Sequence, residues 1–280
     1  MKRLSKTNIP VPTHVAHFYS GTPCSKDSNG VIIMEDLSER IFRENFYVGG
    51  LKMHQMLQLV EQFVIYQSAY LSSEDVPVLE DVEFHMRADN VFFSTSMDKL
   101  PDKPWWSEMK TRNGMTRKDT MKHWATFEQV RQIQQEYPSS VQDLPLVLCH
   151  SDLWPNNILW EKTDDDSDYS LLAIVDWQCT KPGVCLLDLA TPFAMCFDGE
   201  TRRANLETVL RFYVQEMNGR SCSFKIPFDI TYEKAVAVFE SCQRLGALLF
   251  MMVLVGWSSH DEGGKLSKRF QELLEDMIPS

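Results

Sequence analysis

The pattern of apolar and polar positions changes character along the chain. Residues 9–20 carry Pro10 and Pro12, then an apolar stretch that ends in Phe18 and Tyr19. A turn-rich segment with Gly21, Pro23, Asn29 and Gly30 follows, and the β-branched run from Val31 to Met34 is stopped by Glu35 and Asp36. This predicts two strands joined by a long loop. After Gly49 and Gly50 the texture shifts. Met53, Met56, Leu57, Val60, Phe63 and Val64 recur at helical spacing, so residues 51–71 are expected to form an amphipathic helix. Residues 73–119 show no clear period and include Pro77, Pro101, Pro104, Trp105 and Trp106. Residues 120–137 read as a helix ended by Pro138. Short apolar strands are expected at 144–149, 157–160 and 171–175, the last two around a polar loop. Beyond residue 185 the pattern is mostly helical, over about 199–218, 229–257 and 264–277. No internal repeat is visible.

Composition narrows the class. A chain of 280 residues suits about two domains, or one large one, with an ample core. Its 39 acidic and 28 basic residues give a net charge of −11. Nucleic acids and anionic membrane surfaces are polyanions, so neither is an expected partner. The longest apolar run, Leu245 to Trp257, falls short of the ~18–20 residues of a spanning helix. It reads as a buried core helix, and no membrane span is expected. Met1-Lys2-Arg3 is followed by polar residues and two prolines rather than an apolar segment, so a cleaved signal is not supported. The seven cysteines are odd in number and lack any Cys-x-x-Cys. A disulfide scaffold or zinc ribbon is therefore not expected, and reduced, buried thiols in a cytoplasmic protein are.

Two metal readings fail on inspection. His14 and His17 have no carboxylate or thiol beside them in the sequence. Asp164, Asp166 and Asp168 match the first, third and fifth positions of a calcium loop, but Tyr169 stands where glycine is required and Val175 where a bidentate glutamate is required. A solvated hairpin tip is the expectation there.

The informative stretch runs from Leu148 to Trp160 and contains His150-Ser151-Asp152, then Asn157. A second aspartate, Asp176, follows a strand in Ile174-Val175-Asp176-Trp177-Gln178. The pattern His-x-Asp-x-x-x-x-Asn with a strand-end aspartate downstream resembles the catalytic loop and metal-binding segment of the protein-kinase-like fold. The spacing has a physical logic. Phosphoryl transfer needs positioning and charge neutralisation more than covalent chemistry. Asp152 is placed to take the proton of an attacking hydroxyl. Asn157 offers a neutral oxygen and Asp176 a hard anionic one, the donors Mg²⁺ prefers. A hairpin of strands 157–160 and 171–175 returns Asp176 beside Asn157. Taken singly, each residue has a plainer reading: His150 as a structural hydrogen-bonder, Asp152 as a turn or cap residue, Trp154, Trp160 and Trp177 as core.

The wider set, His150 to Trp160, Ile174 to Gln178, Gly183 and Leu187-Asp188-Leu189-Ala190, resembles the choline-kinase-like family. That family includes the ecdysteroid-kinase-like proteins of insects and related nematode sequences. The resemblance covers roughly residues 9 to 275 and is most specific in 148–190. It implies an α+β, two-lobed protein-kinase-like fold and ATP-dependent phosphorylation of a small-molecule hydroxyl, sterol- or choline-like. It implies Asp152 as catalytic base and Asn157 with Asp176 as Mg²⁺ ligands. Asp188 would buttress the catalytic loop from the following helix, and His150 would support it structurally. Asp176-Trp177-Gln178 stands in place of Asp-Phe-Gly and no Ala-Pro-Glu follows, which points away from protein substrates. Val31 to Leu37 then resembles the hinge between lobes, with backbone groups of Glu35, Asp36 and Leu37 facing the adenine edge. An ordinary strand running into a helix cap is the alternative.

Other kinase parts have no match ahead of that hinge. Only Gly21 and Gly30 precede it, no Gly-x-Gly occurs, and no glutamate stands before Glu35. Lys2, Lys6 and Lys26 lack a β-branched strand context. The expected architecture is a two-strand remnant of the small lobe with the hinge, residues 1–37, and a helical catalytic lobe, residues 38–280. Lost phosphate contacts of this type are worth ~2.7–4 kcal/mol each by analogy with oxyanion donors, so weak or absent activity is expected of this chain. The functional alternative is a non-catalytic kinase-like binding or scaffold protein. Trp105-Trp106 would be either a pocket wall for an apolar acceptor or a loop anchor packed on the core.

Overall fold

The computed structural model describes residues 14–23, 29–42, 49–73, 132, 136–164, 168–256 and 264–277. Strand β1 (Phe18–Thr22) pairs antiparallel with β2 (Val31–Met34), from Phe18↔Met34 to Thr22↔Val31, with an irregularity between Phe18 and Ser20. This ribbon has little beneath it. Val31, Ile32, Ile33 and Met34 are 51%, 68%, 52% and 48% exposed, so apolar side chains stand out on both faces. Its anchorage lies at the base. Leu37 and Ala16 share a small apolar cluster with Leu172 and Ala173, and the Ile174 N–H donates to the His14 carbonyl at 2.9 Å.

Helix α1 (Met53–Leu71) follows the expected period: Met56, Leu59, Val60, Phe63 and Val64 are all buried. The Gln55 side chain accepts the Lys52 N–H at 2.8 Å and so satisfies a donor at the helix start. The same helix face carries further uncharged polar groups. Gln55 Nε2 donates to the Tyr169 carbonyl, and Gln58 Oε1 accepts the Leu171 N–H at 2.9 Å. These glutamines cover part of an edge of the hairpin that β4 (Ile158–Lys162) forms with β5 (Tyr169–Ile174). An edge without such partners would be a template for foreign strands. The hairpin tip is tied rather than merely solvated. Asp168 accepts from Lys52 Nζ at 3.1 Å and lies 3.0 Å from His54 Nε2. A third ribbon pairs β3 (Val147–Cys149) with β6 (Lys181–Gly183), with Cys149 opposite Lys181.

Among the described residues four further helices follow: α2 (Leu187–Cys196), α3 (Gly199–Arg220), α4 (Tyr232–Gly256) and α5 (Lys265–Asp276). All ten residues of α2 are buried. Helix α4 crosses it at Gly246, where an added Cβ would stand 2.6 Å from the Ala190 carbonyl oxygen. Only glycine permits that approach. The C-terminal carbonyls of α2 all find donors. Arg202 NH1 reaches Phe197 at 2.7 Å and Ala194 at 3.5 Å, Arg269 NH1 reaches Met195 at 3.2 Å, and the Leu51 N–H reaches Cys196 at 3.2 Å. Arg202 is itself buried. Burial pushes its guanidinium pKa down, and the Asp276 carboxylate 3.1 Å away opposes that fall. By length and composition alone Tyr232–Val255 is apolar enough to cross a bilayer, but Val238, Phe239, Cys242, Phe250 and Met251 of it lie in the core. The described cysteines are free thiols. Burial pushes Cys185 and Cys196 up to about 12, which makes both unreactive at neutral pH.

Candidate active site

The site forms where β3, the β4–β5 hairpin and the start of α2 meet. The chain leaves β3 at Cys149 and turns sharply at Ser151, whose φ is +67°. A short helical turn, Pro155–Asn157, then leads directly into β4. Asn157 makes this loop a closed unit. Its Nδ2 donates to the Asp152 carbonyl at 2.8 Å and approaches Asp152 Oδ2 at 3.5 Å. With the amide nitrogen turned to Asp152, Asn157 Oδ1 accepts no hydrogen bond among the described residues. Asn157 is buried and Asp152 half-buried.

Asp176 comes to the same place along the partner strand. Ile158 stands opposite Ile174, and the Val175 N–H donates to the Asn157 carbonyl at 3.0 Å. Asp176 is thus one residue beyond the point where the hairpin closes on Asn157. It is exposed and left-handed, with φ +62°. Gln178 Nε2 lies 3.4 Å from its carboxylate. His150 links the two segments. The Asp152 N–H donates to its Nδ1 at 3.3 Å, and its Nε2 lies 2.9 Å from the Val175 carbonyl. An acceptor at Nδ1 and a carbonyl facing Nε2 suit the tautomer with its proton on Nε2.

Asp188, at the start of α2, holds the loop from below. Its Oδ2 accepts the His150 N–H at 2.7 Å and its Oδ1 the Ser151 N–H at 2.8 Å. Tyr66 Oη donates to Oδ2 at 2.5 Å. A carboxylate this deep in the core is costly unless donors surround it. Two of the three described donors are backbone groups of the loop that bears Asp152. The three non-glycine residues with positive φ are Ser151, Asp176 and Leu186 among the described residues, and all three border this site. Such backbone strain collects where the surroundings over-determine the chain.

The segment 35–37 lies on the other side of the hairpin. The Glu35 N–H continues the β1–β2 ladder by donating to the His17 carbonyl at 2.8 Å, and its carboxylate accepts the His17 N–H at 3.2 Å. Asp36 accepts the Ser38 N–H at 2.9 Å, which holds its carboxyl below the usual range. The Leu37 carbonyl accepts from Arg40 and Ile41. The Glu35 carbonyl and the Leu37 N–H take no partner among the described residues, an acceptor and a donor two residues apart.

The donor set suits a hard divalent cation. Asp176 and Asn157 offer two oxygens, and Mg²⁺ characteristically takes only one or two protein carboxylates and fills its shell with phosphate oxygens and water. No cluster of three or more His, Cys, Asp or Glu occurs among the described residues, so a cage made wholly of protein groups is not present there. Sequence reading missed Tyr66 and also Lys181, which is buried in β6 opposite Cys149. Tyr66 had a signal. Gln55, Gln58, Gln62 and Tyr66 form a polar stripe at helical spacing that continues onto the inward side of the helix. Trp105-Trp106 and most of the helix expected at 120–137 lie outside the described residues.

A His-x-Asp loop between two short strands, an aspartate at the end of a hairpin and a buried aspartate under the loop, all on a helical lobe, define a protein of the protein-kinase-like fold. More narrowly, the chain belongs to the ecdysteroid kinase-like family, whose model matches residues 1–223. An uncharacterized kinase-like protein of Caenorhabditis elegans is 23% identical over 210 residues, 74% of this chain and 51% of the relative. The chain thus spans about half the length of that curated relative. Among solved structures, an ADP-bound aminoglycoside phosphotransferase superposes with a TM-score of 0.43 at 13% identity, covering 99% of this chain and 81% of that one. An ethanolamine kinase of Plasmodium vivax gives 0.42 at 12% identity, covering 96% and 68%.

Proposed function

We propose that this chain carries the phosphotransfer site of a small-molecule kinase, which moves the γ-phosphate of ATP to a hydroxyl of a sterol- or choline-like acceptor. The observation that carries the reading is the closure of the hairpin on the catalytic loop, with Val175 bonded to Asn157 and Asn157 bonded to Asp152. It gathers three oxygen-bearing side chains, Asp152, Asn157 and Asp176, at one edge of the lobe. The boundary between small and large lobes falls after Leu37.

In this reading the Asp152 carboxylate takes the acceptor's hydroxyl proton as that oxygen bonds to the γ-phosphorus. The bond from phosphorus to the β,γ-bridging oxygen breaks, and ADP leaves. Asn157 and Asp176 would hold Mg²⁺, which when bound neutralises charge on the phosphate oxygens. The Asn157–Asp152 hydrogen bond fixes the loop that bears the base. The Asp188 carboxylate sets the height of the loop through His150 and Ser151. The Glu35 carbonyl and Leu37 N–H, without partners among the described residues, suit the adenine edge, which offers a donor beside an acceptor. The test is transfer of labelled γ-phosphate from ATP to a panel of small alcohols. Asp152→Asn should remove at least 99% of any transfer at unchanged fold, and transfer that survives this change would sink the assignment of the base.

In a second reading the chain is a non-catalytic kinase-like binding protein, in which the Glu35 carboxylate, accepting the His17 N–H at 3.2 Å and lying 4.0 Å from Arg40, serves only to tie the strand ribbon to the segment after it. Binding of Mg-ATP without transfer to any alcohol would select this reading.

A further inference from the structure

Two segments must keep a fixed relation for the site to work: the loop that bears Asp152 and the strand end that bears Asp176. They touch through His150 and Asn157, but one residue from outside both segments contacts supports of each. That residue is Tyr66, in the last turns of α1. Its hydroxyl donates to Asp188 Oδ2, the oxygen that also accepts the His150 N–H. Its ring meets Trp177 edge-on, with centroids 5.4 Å apart and planes at 88°. Trp177 directly follows Asp176. Its Nε1 donates to the Ile174 carbonyl at 2.9 Å, and its ring lies 4.8 Å from the His150 ring.

We infer that Tyr66 is a positioning residue that fixes the Asp152 loop and the Asp176 segment relative to each other, through its hydroxyl on Asp188 and its ring on Trp177. The inference rests on the phosphotransfer reading for its functional meaning, but its geometry does not. Two features make Tyr66 fit for this task. It is buried, so water does not compete for its hydroxyl. Burial first, and the Asp188 carboxylate next, push its phenol far above the ordinary value, so it remains a donor at any working pH. Removing the hydroxyl alone leaves the buried Asp188 carboxylate one donor short and no longer tied to α1, so it is free to shift and the loop amides lose a fixed acceptor.

Tyr66→Phe isolates this effect, because the ring and its contact with Trp177 remain. Tyr213→Phe is the control: Tyr213 is equally buried, but its hydroxyl donates to Gln67 at 2.6 Å rather than to Asp188. Amide hydrogen exchange of both full-length variants is followed residue by residue. The expected result is that Tyr66→Phe speeds exchange at His150 and Ser151 at least tenfold relative to amides of α3, and that Tyr213→Phe does not. Unchanged exchange at these two amides, or equal acceleration in both variants, would overturn the inference. If the chain transfers phosphate, Tyr66→Phe should lower kcat about tenfold with KM for ATP within twofold, and an equal loss in Tyr213→Phe would again count against it. If wild type shows no transfer at all, the phosphotransfer reading fails while the exchange result still decides the role of Tyr66 in holding the loop.

Discussion

Gly246→Ala exposes how closely the helices beneath the site are packed. On an open helix surface this change should stabilise, since glycine is ~0.8–1.0 kcal/mol worse than alanine in a helix interior. Here the new Cβ would sit 2.6 Å from the Ala190 oxygen and 2.9 Å from its carbonyl carbon. Ordinary contact begins near 3.4 Å, so α2 and α4 must separate by most of an ångström. The obstacle is backbone, which cannot rotate aside. Overpacking of this kind costs ~1–3 kcal/mol, and the upper end applies, which leaves a net loss of about 1–2 kcal/mol. Gly219→Ala supplies the opposite sign in the same molecule. Gly219 lies near the end of α3 with nothing within 4 Å of the added carbon, so the gain there should be ~0.5–1 kcal/mol. Urea unfolding with shared m-values reads both. Because α2 carries Asp188, the first variant should also loosen the His150 and Ser151 amides. A Gly246→Ala protein as stable as Gly219→Ala would refute the close crossing, and with it the account of how Asp188 is held at its height.

Other perturbations follow from buried charge and caps. Arg202→Met should destabilise by about 3 kcal/mol, the lower end for a broken buried pair, because Asp276 keeps Arg203 at 2.6 Å. Arg202→Lys should not rescue it, since one ammonium cannot reach both the Phe197 carbonyl and Asp276; chemical denaturation of the two variants checks this. Asp198 caps α3 by accepting the Thr201 N–H at 2.8 Å, and this bond holds its carboxyl below the ordinary 3.8. Its contribution of about 1 kcal/mol is complete above that value and fades as pH falls below it. Asp198→Asn keeps an acceptor but cannot titrate, so its stability should fall less than that of wild type between about pH 5 and pH 2.5.

What the sequence revealed depended on whether a period survived. Helices α1, α3, α4 and α5 kept one because each has an outer face, and their ends differ from the expected ones by a few residues. Helix α2 had none to read. Its ten residues from Leu187 to Cys196 are all buried, so no polar face marks it, and Pro192 sits inside it. Strand β6 is three residues with a proline at its centre, too short for alternation to show. That His150, Asp152, Asn157 and Asp176 would come together was legible because a short loop and one hairpin join them in sequence. Tyr66 had only its place in the polar stripe of α1 to mark it; its role was hidden, since its partner Asp188 is 122 residues away and only the fold brings them together. Arg202 was hidden for the same reason. On a charged helix it resembles any surface arginine until the C-terminus of α2 is known to lie against it.

The central claim is that Asp152, Asn157 and Asp176 form a site for a magnesium nucleotide. Thermal unfolding of wild type and Asp176→Asn, each with ATP alone and with Mg-ATP, measures it directly. At about 100 times the dissociation constant a ligand adds about 2.7 kcal/mol of stability, a shift of several degrees for a chain of this size. The account predicts that shift for wild type with Mg-ATP, and its disappearance in Asp176→Asn. Equal shifts in both proteins, or none in wild type at saturating Mg-ATP, would contradict it.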